Sequence, residues 1–297
     1  LRELPSDAHV LVTGANGFVG SRVCRRLSGT GTDVRALVRR QDADLARAGD
    51  VDVAVAAFDD RVALADALSG ITHVVHCAAA AGPDLDLATA VNVAGTRSAL
   101  EAAAEAGVRR VVHISTTSVV ADDAMVVDAD AELVDDDAPP YAVTKRDAED
   151  VVDQVARDTG LETVVLRPPA VLGWAPSSTW GQRIPAWVAE GKLPFSPDRR
   201  ASLGWVHVDD LADAVVLALA DDHAVGQTYV VASGTTTWGE FLDEIVSWFP
   251  GCPDPFDGSA TPPTPREWSA EGITNDLGWS PEVTFEAALA EAAEHHS

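Results

Sequence analysis

Lysine is almost absent from this chain. Lys145 and Lys192 are the only two in 297 residues, and the other permanently basic side chains are arginines. Positive charge as a whole is scarce: 47 aspartates and glutamates face 21 lysines and arginines, a formal net charge of −26. A surface of that sign repels phosphate backbones and anionic lipid, so neither nucleic acid nor a membrane is an expected partner. The acidic residues are spread along the chain and do not form a tail. Two origins would account for this acidic surface: a halophile's adaptation to salt, or a GC-rich genome that favours Ala, Asp, Arg and Val. Cysteine is scarce too. Cys24, Cys77 and Cys252 are odd in number and lack metal-ligand spacing, which argues against a disulfide framework and a metal site. Buried free thiols and a reducing cytoplasm are the expectation. No uninterrupted apolar run reaches the length of a membrane helix. Leu1 to Ala8 is too charged and too short to read as a signal peptide.

What is present is an alternation. Hydrophobic residues make up 46% of the chain, enough for one large or two modest α/β domains. The organising stretch is 9–20. The apolar run Val10–Val12 meets Gly14, Gly17 and Gly20, and helix-compatible sequence follows from Ser21 to Leu27. Glycine permits positive φ and a close approach of backbone to ligand. The helix start then offers N–H groups and a partial positive charge to a pyrophosphate. The spacing is Gly-x-x-Gly-x-x-Gly, not the Gly-x-Gly-x-x-Gly of the general dinucleotide fingerprint. Further strands are expected at 34–38, 51–58, 71–76, 111–114 and 163–166, with helices at 62–68, 87–106 and 141–157. That order predicts right-handed crossovers and a doubly wound parallel sheet of Rossmann type. Pro168 and Pro169 take the chain out of the sheet. Beyond them the composition changes, and all eight tryptophans lie between Trp174 and Trp279. A helix capped by Asp209 or Asp210 is expected to run to Ala220. Residues 1–168 and 204–235 are assigned to the Rossmann domain, and 169–203 and 236–297 to a small C-terminal substrate-binding lobe.

The second strand ends in Arg39-Arg40, about twenty residues past the glycine turn, where a dinucleotide fold reads the adenosine ribose. A carboxylate there prefers the free 2′-hydroxyl; an arginine accommodates a 2′-phosphate. Arg39 therefore favours NADP over NAD, with Asp42 the acidic residue able to turn back to the ribose. Tyr141 and Lys145, four apart, share a helix face. A free phenol, with a pKa of about 10, is a poor base at neutral pH. A nearby ammonium would lower that value and let the phenol exchange a proton with a substrate hydroxyl or carbonyl. The fifth strand runs into Ser115-Thr116-Thr117-Ser118, and a hydroxyl there would hold the same substrate oxygen.

These motifs together resemble the extended short-chain dehydrogenases/reductases, the NAD-dependent epimerase/dehydratase group. The resemblance runs through Thr13 to Gly20, His76 to Ala79, Asn92 to Thr96, His113 to Thr116, Tyr141-x-x-x-Lys145, Leu166 to Pro169, Val206 to Asp210 and Leu277 to Pro281. It implies that Gly14, Asn16, Gly17, Phe18, Val19 and Gly20 hold the pyrophosphate turn, that Asp59 approaches the adenine, and that Ala78 and Ala79 line the nicotinamide ribose. It implies further cofactor contacts from Asn92, Lys145 and the backbone near Pro168. Thr116, Tyr141 and Lys145 match the family's catalytic residues, with Ser115 and Thr117 as alternative hydroxyls. His113 and His207 sit in apolar runs and read as structural. Ala80, Thr117, Trp174 and Trp180 are candidates to meet the substrate, the tryptophans reading equally well as packing of the C-terminal lobe; Arg183, Arg199 and Arg200 read as solvated surface, with an anionic substrate group as the alternative.

The departures concern the substrate. Thr117 and Ser118 stand where the family's dehydratases carry Asp-Glu, Pro169 stands where many epimerases carry Asn, and the segment 173–203 is short for gripping a nucleotide sugar. They tilt the reading toward an NADP-linked oxidoreductase, with NAD as the other cofactor. Hydride would pass between nicotinamide and a hydroxyl or carbonyl carbon of a small molecule. The alternatives are a nucleotide-sugar epimerase with tightly bound NAD, and a non-catalytic NAD(P)-binding sensor or complex subunit. By the same resemblance the protein is a monomer or a homodimer.

Overall fold

The glycine turn is flanked by the two elements its sequence asks for: β1 (His9–Thr13) enters it and α1 (Phe18–Gly29) leaves it. The computed structural model describes residues 4–40, 51–256 and 264–296. The chain continues through β2 (Asp33–Val38), β3 (Asp52–Val55), α2 (Arg61–Leu68), β4 (His73–His76), α3 (Leu85–Ala88), α4 (Gly95–Glu105), β5 (Arg110–Ile114), β6 (Val126–Val127), α5 (Pro140–Thr159) and β7 (Glu162–Arg167). A second series follows: β8 (Ala170–Leu172), α6 (Ile184–Ala189), β9 (Ser202–His207), α7 (Val208–Ala220), β10 (Thr228–Val230), β11 (Gly234–Thr237), α8 (Trp238–Trp248), β12 (Glu267–Trp268), α9 (Glu271–Leu277) and α10 (Phe285–Ala293).

Seven strands form one parallel sheet in the order β10-β7-β5-β4-β1-β2-β3. The central strands β4 and β5 are buried at every position, as expected where helices cover both faces. On one face Val23, Leu27, Leu211, Val215 and Trp279 pack against the sheet. On the other, Leu64, Leu100, Val152 and Val155 do so. The doubly wound sheet expected from the sequence is therefore the observed architecture. Its strand order reverses at the β1–β4 seam, where Thr13 pairs with His76. In an open α/β sheet, ligands bind in the crevice beyond the strand ends at such a seam.

Several local expectations change. The strand expected over 51–58 stops at Val55, and Phe58 turns back to place its ring 5.5 Å from that of His76. The helix expected over 87–106 is interrupted by a wide π-type turn, Thr89–Ala94, which carries Asn92. Between β5 and α5, where no strand was expected, β6 pairs with β12 near the far end of the chain. The cap of α7 is His207, whose Nδ1 accepts the Asp209 N–H at 3.3 Å; it is neither Asp209 nor Asp210. Asp210 turns inward instead. Its carboxylate accepts the N–H groups of Glu282 (2.9 Å) and Val283 (3.3 Å), fixing the approach to α10.

Within 204–235, β9 leaves the large sheet to join β8 and β11 in a three-stranded sheet, while β10 stays with the seven. Around the small sheet, Ile184, Trp205, Phe241, Ile245 and Leu289 form a separate apolar cluster, with Trp180, Trp187, Trp238 and Trp248 packed on it. Among the described residues no helix is long and apolar enough to cross a membrane.

Candidate active site

Backbone contacts decide the glycine turn. A Cβ on Gly14, whose φ is +64°, would sit 2.9 Å from the Ala78 Cα, and one on Gly20 would sit 2.3 Å from the Gly14 carbonyl oxygen. Only glycine lets α1 close onto β1 while the Ala78 loop lies against the turn. Gly17, at the cap position of α1, has no side chain to accept the helix's first N–H groups, and the first turn holds no acidic residue. By contrast Asp60, Thr237 and Thr284 cap α2, α8 and α10 with their side chains. A helix start left with its own N–H groups and dipole suits an anion, so the turn fits a dinucleotide pyrophosphate. Beside it, Leu37 of β2 pairs with Thr13, so Arg39 and Arg40 leave the sheet next to the turn, both exposed. Asp42 lies outside the described residues. Asp59 is exposed, next to the cap of α2.

Under the seam lies a layer of buried polar groups. His76 is held at both ring nitrogens, by Thr13 Oγ1 (3.0 Å) and Thr96 Oγ1 (3.1 Å). Thr13 also accepts the Ala78 N–H at 3.2 Å. Asn92 brackets the Ala80 peptide, accepting its N–H at 2.7 Å and donating to its carbonyl at 3.0 Å. It also donates to Thr144 at 3.0 Å. The sequence reading placed Asn92 against the cofactor. Its side chain is buried and engaged within the protein, holding the Ala80 residue and Thr144.

Pro140, at the start of α5, pre-sets the first turn of that helix, and Tyr141 follows it. The Thr116 hydroxyl acts on the Tyr141 phenol in the direction that lowers its pKa. The neighbouring hydroxyls are engaged elsewhere: Ser115 donates to Glu149, and Thr117 Oγ1 accepts the Trp268 indole N–H at 3.2 Å. Thr116 is engaged as well, donating to Ser118 Oγ at 3.2 Å and accepting the Ser118 N–H at 3.1 Å, but of the three it is the one that acts on the Tyr141 phenol. The Pro168 carbonyl accepts the Thr117 N–H at 2.9 Å and closes this corner.

Lys145 is buried, and its Nζ lies 2.8 Å from the Ile114 carbonyl and 3.1 Å from His113 Nε2. Burial pushes its pKa down to about 8, against the opposing charge of Glu149. The sequence argument had this ammonium lowering the phenol of Tyr141. Here the ammonium is turned onto β5, and burial raises the phenol above its ordinary value, with the Thr116 hydroxyl partly opposing. A shared helix face places two side chains together but does not aim a four-carbon stem. Glu149, one further turn along α5, binds Arg167 at 3.1 Å and 2.7 Å, both residues being buried. Arg167 in turn donates to the Ala129 carbonyl at 3.0 Å, so the pair clamps the loop before α5.

Of the two readings for the tryptophans, Trp180 follows packing. The Trp180 ring lies 5.5 Å from those of both Trp238 and Phe241, in the apolar cluster of the small sheet. Trp174 stacks on His295 at 3.7 Å and donates to Gln182 at 3.2 Å. Arg199 is paired with Asp243 and Arg200 with Asp198; Arg183 is exposed. The tryptophan that does reach the hydroxyl strand end is Trp268, and the sequence reading missed it. It lies flat on Gly204, where a Cβ would come 2.3 Å from the indole. No local pattern marks it, because the β6–β12 pairing brings it there. Glu149 was also missed, although its spacing of four from Lys145 was a readable signal.

Residues 10–232 match the family model described as NAD dependent epimerase/dehydratase. The UDP-glucose 4-epimerase of Vibrio cholerae is 29% identical over 248 residues, covering 78% of this chain and 72% of that protein. A 3-diazoavenalumate denitrifying reductase of a Streptomyces species is 30% identical over 296 residues, covering 92% of this chain and 95% of the relative. The solved structure of MoeE5 in complex with UDP-glucuronic acid and NAD superposes with a TM-score of 0.81 at 26% identity, covering 97% of this chain and 98% of that one. With the seven-stranded parallel sheet, the glycine cradle and a family model matching more than half of its length, the chain belongs to the NAD dependent epimerase/dehydratase family and is an NAD(P)-dependent enzyme of the short-chain dehydrogenase/reductase type.

Proposed function

We propose that this enzyme reduces the carbonyl of a small molecule, with NADPH preferred over NADH and with Tyr141 as the proton donor. The observation that carries this reading is the Tyr141 phenol in the first turn of α5, raised above its ordinary pKa by burial, with the Thr116 hydroxyl acting in the opposite sense. Such a phenol keeps its proton at neutral pH and can deliver it to an oxygen on which negative charge develops. Thr116 holds that oxygen from the other side and stabilises the charge. Lys145 supplies a buried cation one helical turn on from Tyr141, docked on His113 and Ile114. The dinucleotide, when bound, supplies the hydride.

The chain's own groups suit that cofactor: Gly14, Asn16, Gly17, Phe18, Val19 and Gly20 for the pyrophosphate, Asp59 for the adenine, and Ala78, Ala79, Lys145 and the Pro168 backbone for the nicotinamide side. Arg39, beside the turn, suits a 2′-phosphate. Ala80, in the loop after β4, and Thr117, after β5, would be the substrate's neighbours on this reading. The small lobe, 169–203 and 236–297, would close over the substrate, with Trp174 at its edge. A small substrate is supported by Thr117 and Ser118, which put no carboxylate pair beside Tyr141, and by the Streptomyces reductase, which matches nearly end to end.

A second reading is nucleotide-sugar epimerisation with retained NAD, favoured by the fit to MoeE5 with its UDP-sugar acid. Two measurements decide. Exchangeable NADPH with net reduction across a carbonyl panel supports the first reading; stoichiometric NAD surviving purification, with no net redox change, supports the second. Tyr141→Phe should lower kcat by about 10²- to 10⁴-fold while leaving dinucleotide affinity in place. Arg39→Ser should weaken NADPH about tenfold, about 1.4 kcal/mol, and leave NADH unchanged. Dinucleotide binding without turnover on carbonyls or sugar nucleotides, indifferent to Tyr141→Phe, would overturn both enzymatic readings.

A further inference from the structure

His113 lies on β5, wholly buried, and the proposed reaction makes no use of it. Its Nε2 stands 3.1 Å from Lys145 Nζ. Its Nδ1 is the one buried side-chain nitrogen or oxygen without a hydrogen-bond partner among the described residues. The ring is not free to turn. It stacks on His76 at 5.4 Å with 20° between the planes, and His76 is itself pinned by Thr13 and Thr96.

An ammonium has donors and no acceptor. The nitrogen facing it must therefore be the lone-pair nitrogen, which leaves the imidazole proton on the unpartnered Nδ1. A buried N–H without an acceptor is unfavourable, so something has to impose this tautomer. Lys145 is the group in position to do so. Burial and the charge of Lys145 keep His113 neutral, as an acceptor must be.

We propose that His113 is the positioning residue for Lys145: its Nε2 lone pair, with the Ile114 carbonyl, docks the ammonium against β5 and sets its orientation in the site. The inference rests on reading Lys145 as the cation of the site, but its test does not depend on turnover. The titratable and charged groups around the ammonium are Tyr141 and Glu149 on α5, His113 on β5, His76 on β4, Cys77 after β4, and Arg167 on β7 through Glu149. His76 is neutral, pushed down to about 3 by burial and by Lys145. Glu149 favours the cation, but the lone pair of His113 and the Ile114 carbonyl are the acceptors the ammonium touches. Removing the lone pair leaves burial less opposed, so the ammonium would lose its proton at a lower pH.

The scarcity of lysine makes this measurable. The whole protein, labelled with lysine carrying ¹³C at the ε position, gives two side-chain resonances, one of them from exposed Lys192, which serves as an internal reference. Lys145 should titrate with a midpoint of about 8. In His113→Leu the midpoint should fall by about one pH unit, the scale of a hydrogen bond to a charged group. His113→Gln, whose amide oxygen reaches the place of Nε2, should restore it. His113→Asn, equally polar but reaching only the place of Nδ1, should not. If His113→Leu fails to fold, the contrast between Gln and Asn decides alone. Equal midpoints in wild type, Gln and Asn variants overturn the proposal. A chain that reduces no carbonyl yet shows the predicted shifts loses the proposed function and keeps the role of His113; turnover with unmoved midpoints does the reverse.

Discussion

Around Gly14, Gly20 and Ala78 the chain packs backbone against backbone; around Trp180, Trp238 and Phe241 it packs ring against ring. The first contact has no slack. A single added carbon at Gly20 would overlap a carbonyl oxygen at 2.3 Å, and the groups nearby are carbonyls and amides that cannot rotate away. The second contact is made of tilted and edge-on rings 5.3 to 6.1 Å apart, held by area and adjustable by small rotations. Errors in the first region should act on ligand binding as a near-complete loss. Errors in the second should act on stability in proportion to the surface removed.

Gly20→Ala tests the unforgiving side, and the largest effect is expected there. To seat the methyl, α1 must move off β1, and the N–H groups of its first turn move with it. NADPH affinity should fall at least about 100-fold, about 2.7 kcal/mol, by fluorescence titration. Affinity within threefold of wild type would show that the turn is not the limiting contact.

Trp180→Ala tests the tolerant side. The ring is partly buried in the lobe cluster, so the loss should be about 2–3 kcal/mol in denaturant unfolding, below the range for a wholly buried tryptophan. Dinucleotide affinity should stay within about twofold. A parallel collapse of affinity would mean that the two regions are not separable.

The smallest effect concerns a group that joins them. Glu291, on α10, binds His207 at 2.8 Å and Arg22 of α1 at 2.7 Å. The His207 hydrogen bond, aided by Arg22 and opposed by burial, holds its carboxyl at about 2 against an ordinary 4.5. A carboxyl lowered on folding stabilises the fold above its unfolded value and loses that contribution as pH drops toward the folded one. The melting-temperature advantage of wild type over Glu291→Gln should therefore be full near neutrality and shrink between pH 4.5 and about 2. An advantage that does not change with pH would assign Glu291 a packing role only.

The same contrast explains what could be read in advance. The order of strands and helices was legible because each is a run of a few residues with its own period. Thr116 and Tyr141 were legible as candidates because a hydroxyl-rich strand end and a Tyr-x-x-x-Lys helix are local patterns. The helix cap at Asp209 or Asp210 was misread for a nonlocal reason: Asp210 is drawn to the amides of Glu282 and Val283, which local cap statistics do not contain. Trp180 could be read either as a pocket residue or as packing of the small lobe, because a tryptophan in a loop carries no mark of whether its ring faces a crevice or a second core.

By itself the sequence determined the glycine turn, the parallel sheet with its helices, and the presence of Tyr141 and Lys145 on one helix. Those follow from φ preferences, hydrophobic period and hydrogen bonds closed within a few residues. Only the tertiary structure decided that Ser115 is engaged by Glu149 and Thr117 by Trp268, and that the Lys145 ammonium turns to His113 and Ile114. Each of these depends on where a second segment, distant along the chain, delivers a donor, an acceptor or a ring, and no local spacing encodes that position.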